Sequence, residues 1–190
     1  RRIYFLQSIS FSIIKAMTKQ FEVKNFSIPK LKGISEGTIE EHLKLYAGYV
    51  KNTNELLEEK EYNRRFPFEF NGMRNHEVYF SHLEGGPSPL TPQSPLAVLD
   101  WEKFKTLALT RGVGWVMVYY DPLSKQLIQS WVDEQHLGQL SGCIPILALD
   151  MWEHSFVADY KPSGKKQYVE DFFENLNWHS CEENLLKASS

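Results

Sequence analysis

Between Gly85 and Pro95 the chain reads GGPSPLTPQSP and holds four of its nine prolines. Proline locks φ, lacks an N–H, cannot continue a helix and cannot donate to a sheet ladder, so no regular element crosses this stretch. It reads as a linker at residues 87–98 that separates two differently patterned halves. Upstream, Thr38 to about Glu58 and Tyr62 to about Leu83 carry apolar residues at spacings of three and four, with Ser35 as the N-cap of the first run. They predict a helical hairpin. Downstream, a helix is predicted over Trp101–Leu109. Strands follow over Trp115–Tyr120 and Gln126–Val132 about a turn at Asp121-Pro122, with a third candidate over Ile144–Met151. Helical spacing returns from Lys165 to Leu176 and after Trp178, and the expected class is α+β.

With 190 residues, 42% of them hydrophobic, the chain can bury a core as one compact unit of two lobes. A net charge of −3 lacks the basic footprint that gripping nucleic acid or an anionic membrane requires. No stretch reaches the roughly 20 apolar residues of a membrane span. Cys143 and Cys181 are too few for a disulfide framework or a four-cysteine zinc site, which makes a reducing, cytoplasmic setting the expectation. Residues 1–16, RRIYFLQSISFSIIKA, have an apolar run broken by Gln7, Ser8, Ser10 and Ser12. A secretory leader is one reading. Lys15 near the cleavage point and Ile14 where a small residue belongs favour the other, a non-native extension ahead of a start at Met17. The division expected is 1–16, an N-terminal helical-hairpin domain at 17–86, the linker at 87–98 and a C-terminal α/β domain at 99–190.

Three of the six histidines fall where burial is expected, and a buried imidazole needs a partner. His42 shares a helical face with Ile39, Leu45, Tyr46 and Tyr49, and His76 shares one with Met73, Phe80 and Leu83. Asp150 and His154 close an apolar strand, Ile146-Leu147-Ala148-Leu149. Each histidine alone reads most simply as a core residue bonded to a carbonyl. Together, two helices of a hairpin and a strand end can bring three nitrogens and one oxygen to a common point, a donor set that suits a first-row metal. His82, His136 and His179 read as structural.

Asp150-Met151-Trp152-Glu153-His154 matches the D-x-W-E-H signature of the iron/manganese superoxide dismutases, and the chain resembles that family from about Phe21 to Leu186. Asn75-His76 resembles its second-helix ligand, Gly112-Val113-Gly114-Trp115 its G-x-G-W turn, Asn177-Trp178 its C-terminal N-W, and Ser35 to His42 the run bearing its first ligand. The resemblance implies an N-terminal two-helix hairpin lobe, a C-terminal lobe with a three-stranded antiparallel sheet and helices, and one manganese or iron ion held by His42, His76, Asp150 and His154. It implies dismutation of superoxide to dioxygen and hydrogen peroxide. It also implies Gln135 as the residue that hydrogen-bonds solvent on the metal, and Tyr49 as the tyrosine of the proton relay. Trp115 and Trp152 are then walls of the pocket, and Glu153 a residue reaching across a homodimer interface. Gly72 stands where other members carry a tuning Gln, an arrangement seen mostly in manganese-type enzymes, so manganese is favoured over iron.

The chain departs from the family pattern in two places. His42 and Tyr49 are seven apart instead of the usual eight, which leaves Glu41 as a competing first ligand if the comparison is anchored on Tyr49. The His and Tyr of the usual substrate gateway are absent, with Leu45 or Tyr46 in one place and Val157 in the other. A rival reading is therefore a metal-binding relative with altered or lost dismutase activity. Zinc hydrolysis lacks an evident general base, and a noncatalytic packing domain leaves the motif cluster without a purpose.

Overall fold

The computed structural model describes residues 20–190, so segment 1–16 and the start at Met17 lie outside the described residues. Helix α1 spans Glu36–Glu59 and α2 spans Arg65–Ser81. Ser35 caps α1, its hydroxyl accepting from the Thr38 N–H at 3.2 Å, and α1 ends on Lys60 in the left-handed region. Such a cap is worth about 1 kcal/mol. The second helix begins three residues later than its apolar spacing predicts. The Asn63 side chain accepts from the Arg65 N–H at 2.9 Å, so Tyr62 to Arg64 form the turn between the helices.

After the hairpin the chain crosses to the second lobe along the proline-rich segment. Ser88 pairs with Asn177, and Pro95–Val98 form a 3₁₀ turn that buries Leu96. Helix α3 (Trp101–Ala108) leads into strands β1 (Gly114–Asp121), β2 (Gln126–Asp133) and β3 (Ile144–Asp150). The sheet is antiparallel throughout in the order β2-β1-β3. A single helical turn at Val157–Tyr160 then precedes α4 (Lys165–Asn175) and α5 (Trp178–Ser189). The α+β class and the three-stranded antiparallel sheet are as expected.

The central strand decides where the chemistry goes. Trp115 on β1 lies opposite Val132 on β2 and Asp150 on β3. The loop that follows β2 and the end of β3 therefore emerge side by side. Helix α2 packs against β3, and α1 packs on α2 and on the turn Glu153–Ser155. Tyr46, Met73, Tyr79, Phe80, Trp115 and Phe172 are all buried in the resulting core. No helix among the described residues is long and apolar enough to cross a membrane.

Candidate metal centre

His42 and His76 reach the centre of the molecule from α1 and α2, Asp150 from the end of β3, and His154 from the 3₁₀ turn Glu153–Ser155. One donor atom from each lies within 4.8 Å of all the others. The Asp150 Oδ2 stands 3.1 Å from His42 Nε2, 3.2 Å from His154 Nε2 and 3.7 Å from His76 Nε2. His42, His76 and Asp150 are fully buried at their side chains, whereas His154 is 27% exposed. Donor atoms this close together could all be held by a single ion.

The ring of His76 carries the clearest sign that a cation fits. Its Nδ1 donates to the Gly72 carbonyl at 2.6 Å, which fixes the tautomer and leaves a lone pair on Nε2. That Nε2 is buried and has no hydrogen-bond partner in the protein. An orphaned buried polar atom costs about 1–3 kcal/mol, and a metal ion at the convergence point would remove that penalty. Burial pushes the His76 imidazole down to about 3, with His42 adding to the effect. Burial likewise lowers His42. Burial pushes the Asp150 carboxyl up, but His154 and His42 outweigh it and hold the group well below the usual carboxylate range. Burial thus favours the uncharged form of His42 and His76, and Asp150 is ionised beside them; an uncharged imidazole and a carboxylate are the forms that bind a cation.

Further bonds hold these donors in place. Asp150 Oδ1 accepts from the Trp152 N–H at 2.8 Å, and its backbone carbonyl accepts from the Tyr168 hydroxyl at 2.9 Å. The Trp115 indole meets His76 edge to face at 5.0 Å, and Trp152 stacks on His154 at 5.9 Å. Glu153 is exposed on the outer side of the same turn.

Beside the four donors lies a buried amide. Gln135, fully buried, donates from Nε2 to the Tyr49 hydroxyl oxygen at 2.9 Å, while its Oε1 accepts from Trp115 Nε1 at 2.8 Å. Because the indole can only donate, the oxygen of the amide must face it and the nitrogen must face Tyr49. The Tyr49 ring lies over His76 with centroids 5.1 Å apart. Burial, then the nearby Asp150 and Glu69 charges, raise the Tyr49 phenol well above its usual value, so it keeps its proton.

The structure brings together every residue that the sequence singled out for the interior of the site. α1 is α-helical throughout, and a spacing of seven turns His42 and Tyr49 inward together. Glu41 is 75% exposed and paired with Lys44, which removes it as a ligand. At the gateway positions, Tyr46 is buried with its hydroxyl on Glu77 at 3.2 Å, Leu45 is exposed and Val157 is half-buried. His82 is buried and accepts from the Ala148 N–H at 3.2 Å, His179 is exposed, and His136 packs edge-on against Phe68.

Sequence reasoning missed a set of polar contacts. The Gln135 carbonyl accepts from Asn75 Nδ2 at 3.0 Å, and Gln139 Nε2 donates to Asn75 Oδ1 at 3.1 Å. Asn75 could have been suspected from its place beside His76. Gln139 sits in a loop with no periodicity and left no signal.

Residues 99–184 match the family described as iron/manganese superoxide dismutases, C-terminal domain. Among similar proteins, a superoxide dismutase (Fe) of Cupriavidus metallidurans is 33% identical over 183 residues, covering 84% of this chain and 92% of that protein. A superoxide dismutase (Mn/Fe) of Aeropyrum pernix is 30% identical over 172 residues, covering 77% and 80% respectively. A superoxide dismutase (Mn) of Mycobacterium avium is 30% identical over 173 residues, covering 78% and 83%.

Proposed function

Since the chain belongs to the iron/manganese superoxide dismutase family and is itself a superoxide dismutase, we propose that His42, His76, Asp150 and His154 hold its one manganese or iron ion, with Tyr49 and Gln135 as the residues that manage protons beside it. The reaction turns two superoxide anions and two protons into one dioxygen and one hydrogen peroxide. A reading as a metal-holding relative without dismutase activity is not favoured, since the relatives at about 30% identity over most of the chain are named superoxide dismutases.

When bound, the ion supplies a one-electron store that accepts an electron from one superoxide and returns it to the next. The chain supplies the rest. Four donors from two helices, a strand end and a turn fix the geometry, and the buried indoles of Trp115 and, in part, Trp152 limit water around them. Tyr49 keeps a protonated phenol facing the centre. Gln135, clamped at its oxygen by Trp115, donates an amide hydrogen to the Tyr49 hydroxyl and so biases which protonation state of the site is favoured. The observation that carries this reading is the orphaned, buried Nε2 of His76 facing Asp150.

We assign manganese in preference to iron on Gly72. A side chain there would meet the Tyr49 ring, a Cβ falling 2.6 Å from Tyr49 Cδ1, which supports Gln135 as the source of the tuning amide. A homodimer is supported by Glu153, an exposed carboxylate next to a ligand that is itself partly exposed. A metal-bound imidazole needs a partner for its outer nitrogen, and Glu153 of a second copy has the right chemistry. An antioxidant role follows from the substrate. A cytoplasmic location fits two cysteines carried as free thiols. The domain division 17–86 and 99–190 about the segment 87–98 is favoured because each part contributes two ligands.

Superoxide consumption by protein loaded with manganese or iron tests this reading. Loaded wild type should consume superoxide catalytically, and His76→Ala should lose metal and activity together. Wild type carrying close to one ion per chain without accelerating superoxide loss would overturn it.

A further inference from the structure

We propose that Gln139 is a positioning residue for the dismutase reaction, holding the Gln135 backbone through Asn75 and Tyr119 in the pose that lets the Gln135 amide reach Tyr49. The inference rests on the role given to Gln135 above.

Three elements meet at the Gln139 side chain. Its Nε2 donates to Asn75 Oδ1 at 3.1 Å and lies 3.4 Å from the Gln135 carbonyl, while its Oε1 accepts from the Tyr119 hydroxyl. Asn75 stands on α2 next to the ligand His76 and closes the ring by donating to the same Gln135 carbonyl at 3.0 Å. Tyr119 stands on β1, on the strand that also carries Trp115. Tyr119 is 1% exposed and Gln135 0%, so neither has water as an easy substitute partner, while Asn75, 2% exposed, lines the same cavity as Gln139.

The donor and acceptor pattern leaves one solution. Asn75 presents its nitrogen to the Gln135 carbonyl, so its oxygen faces Gln139 and must receive a nitrogen there. The oxygen of Gln139 is then left for Tyr119. A glutamate at 139 would set two acceptors against each other, asparagine would be one methylene short, and leucine would fill similar volume with no polar reach. Gln135 itself sits in a tight turn, where Asp133 and Leu137 exchange N–H···O bonds at 2.8 and 3.1 Å. Within that turn its carbonyl is what the Asn75–Gln139 pair secures. On its outer side Gln139 lines a surface cavity of about 590 Å³ that also exposes Lys24, Arg74 and Cys143. It therefore stands between solvent and the buried amide.

The test uses manganese-loaded protein and four variants: Gln135→Ala, Gln139→Leu, Tyr119→Phe and the double variant Gln135→Ala/Gln139→Leu. Readouts are the midpoint potential of the bound metal, kcat and KM separately, and hydrogen exchange of the amides in 133–143. Expected is retained metal in Gln139→Leu and a potential shifted in the same direction as in Gln135→Ala. Its kcat should fall about tenfold, the lower end of what losing an outer partner costs. Loop exchange should be faster. Tyr119→Phe should do the same to a smaller degree, and it carries the test if Gln139→Leu does not fold. In the Gln135→Ala background the Leu substitution should move neither potential nor kcat further. A Gln139→Leu protein that is merely less heat-stable, with potential and kcat at wild-type values, overturns the inference, as do effects that add in the double variant. If Gln135→Ala moves the potential and Gln139→Leu does not, only the inference on Gln139 fails; if Gln135→Ala moves nothing, the role of Gln135 fails with it.

Discussion

At Gly72 a missing Cβ decides where Tyr49 can sit. In Gly72→Ala the added carbon would meet the Tyr49 ring at 2.6–3.0 Å, so the ring has to move or the helices have to part. Overpacking of this kind costs about 1–3 kcal/mol. It also lengthens the 2.9 Å bond between Gln135 and Tyr49. Gly72→Ala should lower both the denaturant midpoint and superoxide turnover, and a variant unchanged in both would remove Gly72 from the site. Tyr49→Phe keeps the ring over His76 and deletes only the hydroxyl that receives the Gln135 amide. Metal content should hold while turnover falls about tenfold or more; equal turnover would show the phenol to be packing alone. From the sequence, Tyr49 was visible because seven residues from His42 is the same helical face. Gly72 was visible only as the absence of a glutamine. That it makes room for a ring belongs to the packing of α2 on α1, which no local pattern records.

Strand β1 is the element on which the site is hung. Gly114 begins it, passing so close to the Val132 carbonyl that any side chain would run into backbone, and its own carbonyl accepts from the Met151 N–H at 2.9 Å next to Asp150. Gly114→Ala should therefore destabilise the fold by at least the 1–3 kcal/mol typical of overpacking, since backbone yields less than side chains do. It should also weaken metal retention, because β2 and β3 both shift relative to Trp115. Urea denaturation together with metal content checks this, and wild-type behaviour in both would contradict it. The strands, the cap at Ser35 and the later helices were legible because alternation, cap chemistry and helical spacing are local properties. The start of α2 was not, since Asn63 accepting the Arg65 N–H outweighs an apolar pattern that begins earlier. The loop from 134 to 143 was not either. Its order comes from Asn75 and Tyr119, distant in sequence, and so Gln139 carried no mark of its place.

For the molecule as a whole, His42 and His76 come from the hairpin lobe and Asp150 and His154 from the sheet lobe, so an ion held by all four in the fold and not in the unfolded chain would stabilise it. Without metal, acid should act on buried histidines. Burial pushes His76 and His82 down to about 3 from an ordinary 6.5, so each is neutral when folded and takes up a proton on unfolding below 6.5. The stability they contribute is fully present above about pH 6.5 and is lost as pH falls toward 3, at up to about 1.4 kcal/mol per pH unit for each histidine. Metal-free protein should show this slope in urea unfolding, and His82→Gln should make it shallower; a flat profile from pH 7 to 4 would contradict it. The measurement that bears most directly on the molecule is the metal content of purified protein by inductively coupled plasma mass spectrometry. Four converging donors require close to one manganese or iron per chain in wild type and close to none in His76→Ala. Wild type holding neither metal, or His76→Ala at full occupancy, would contradict the site built here from His42, His76, Asp150 and His154.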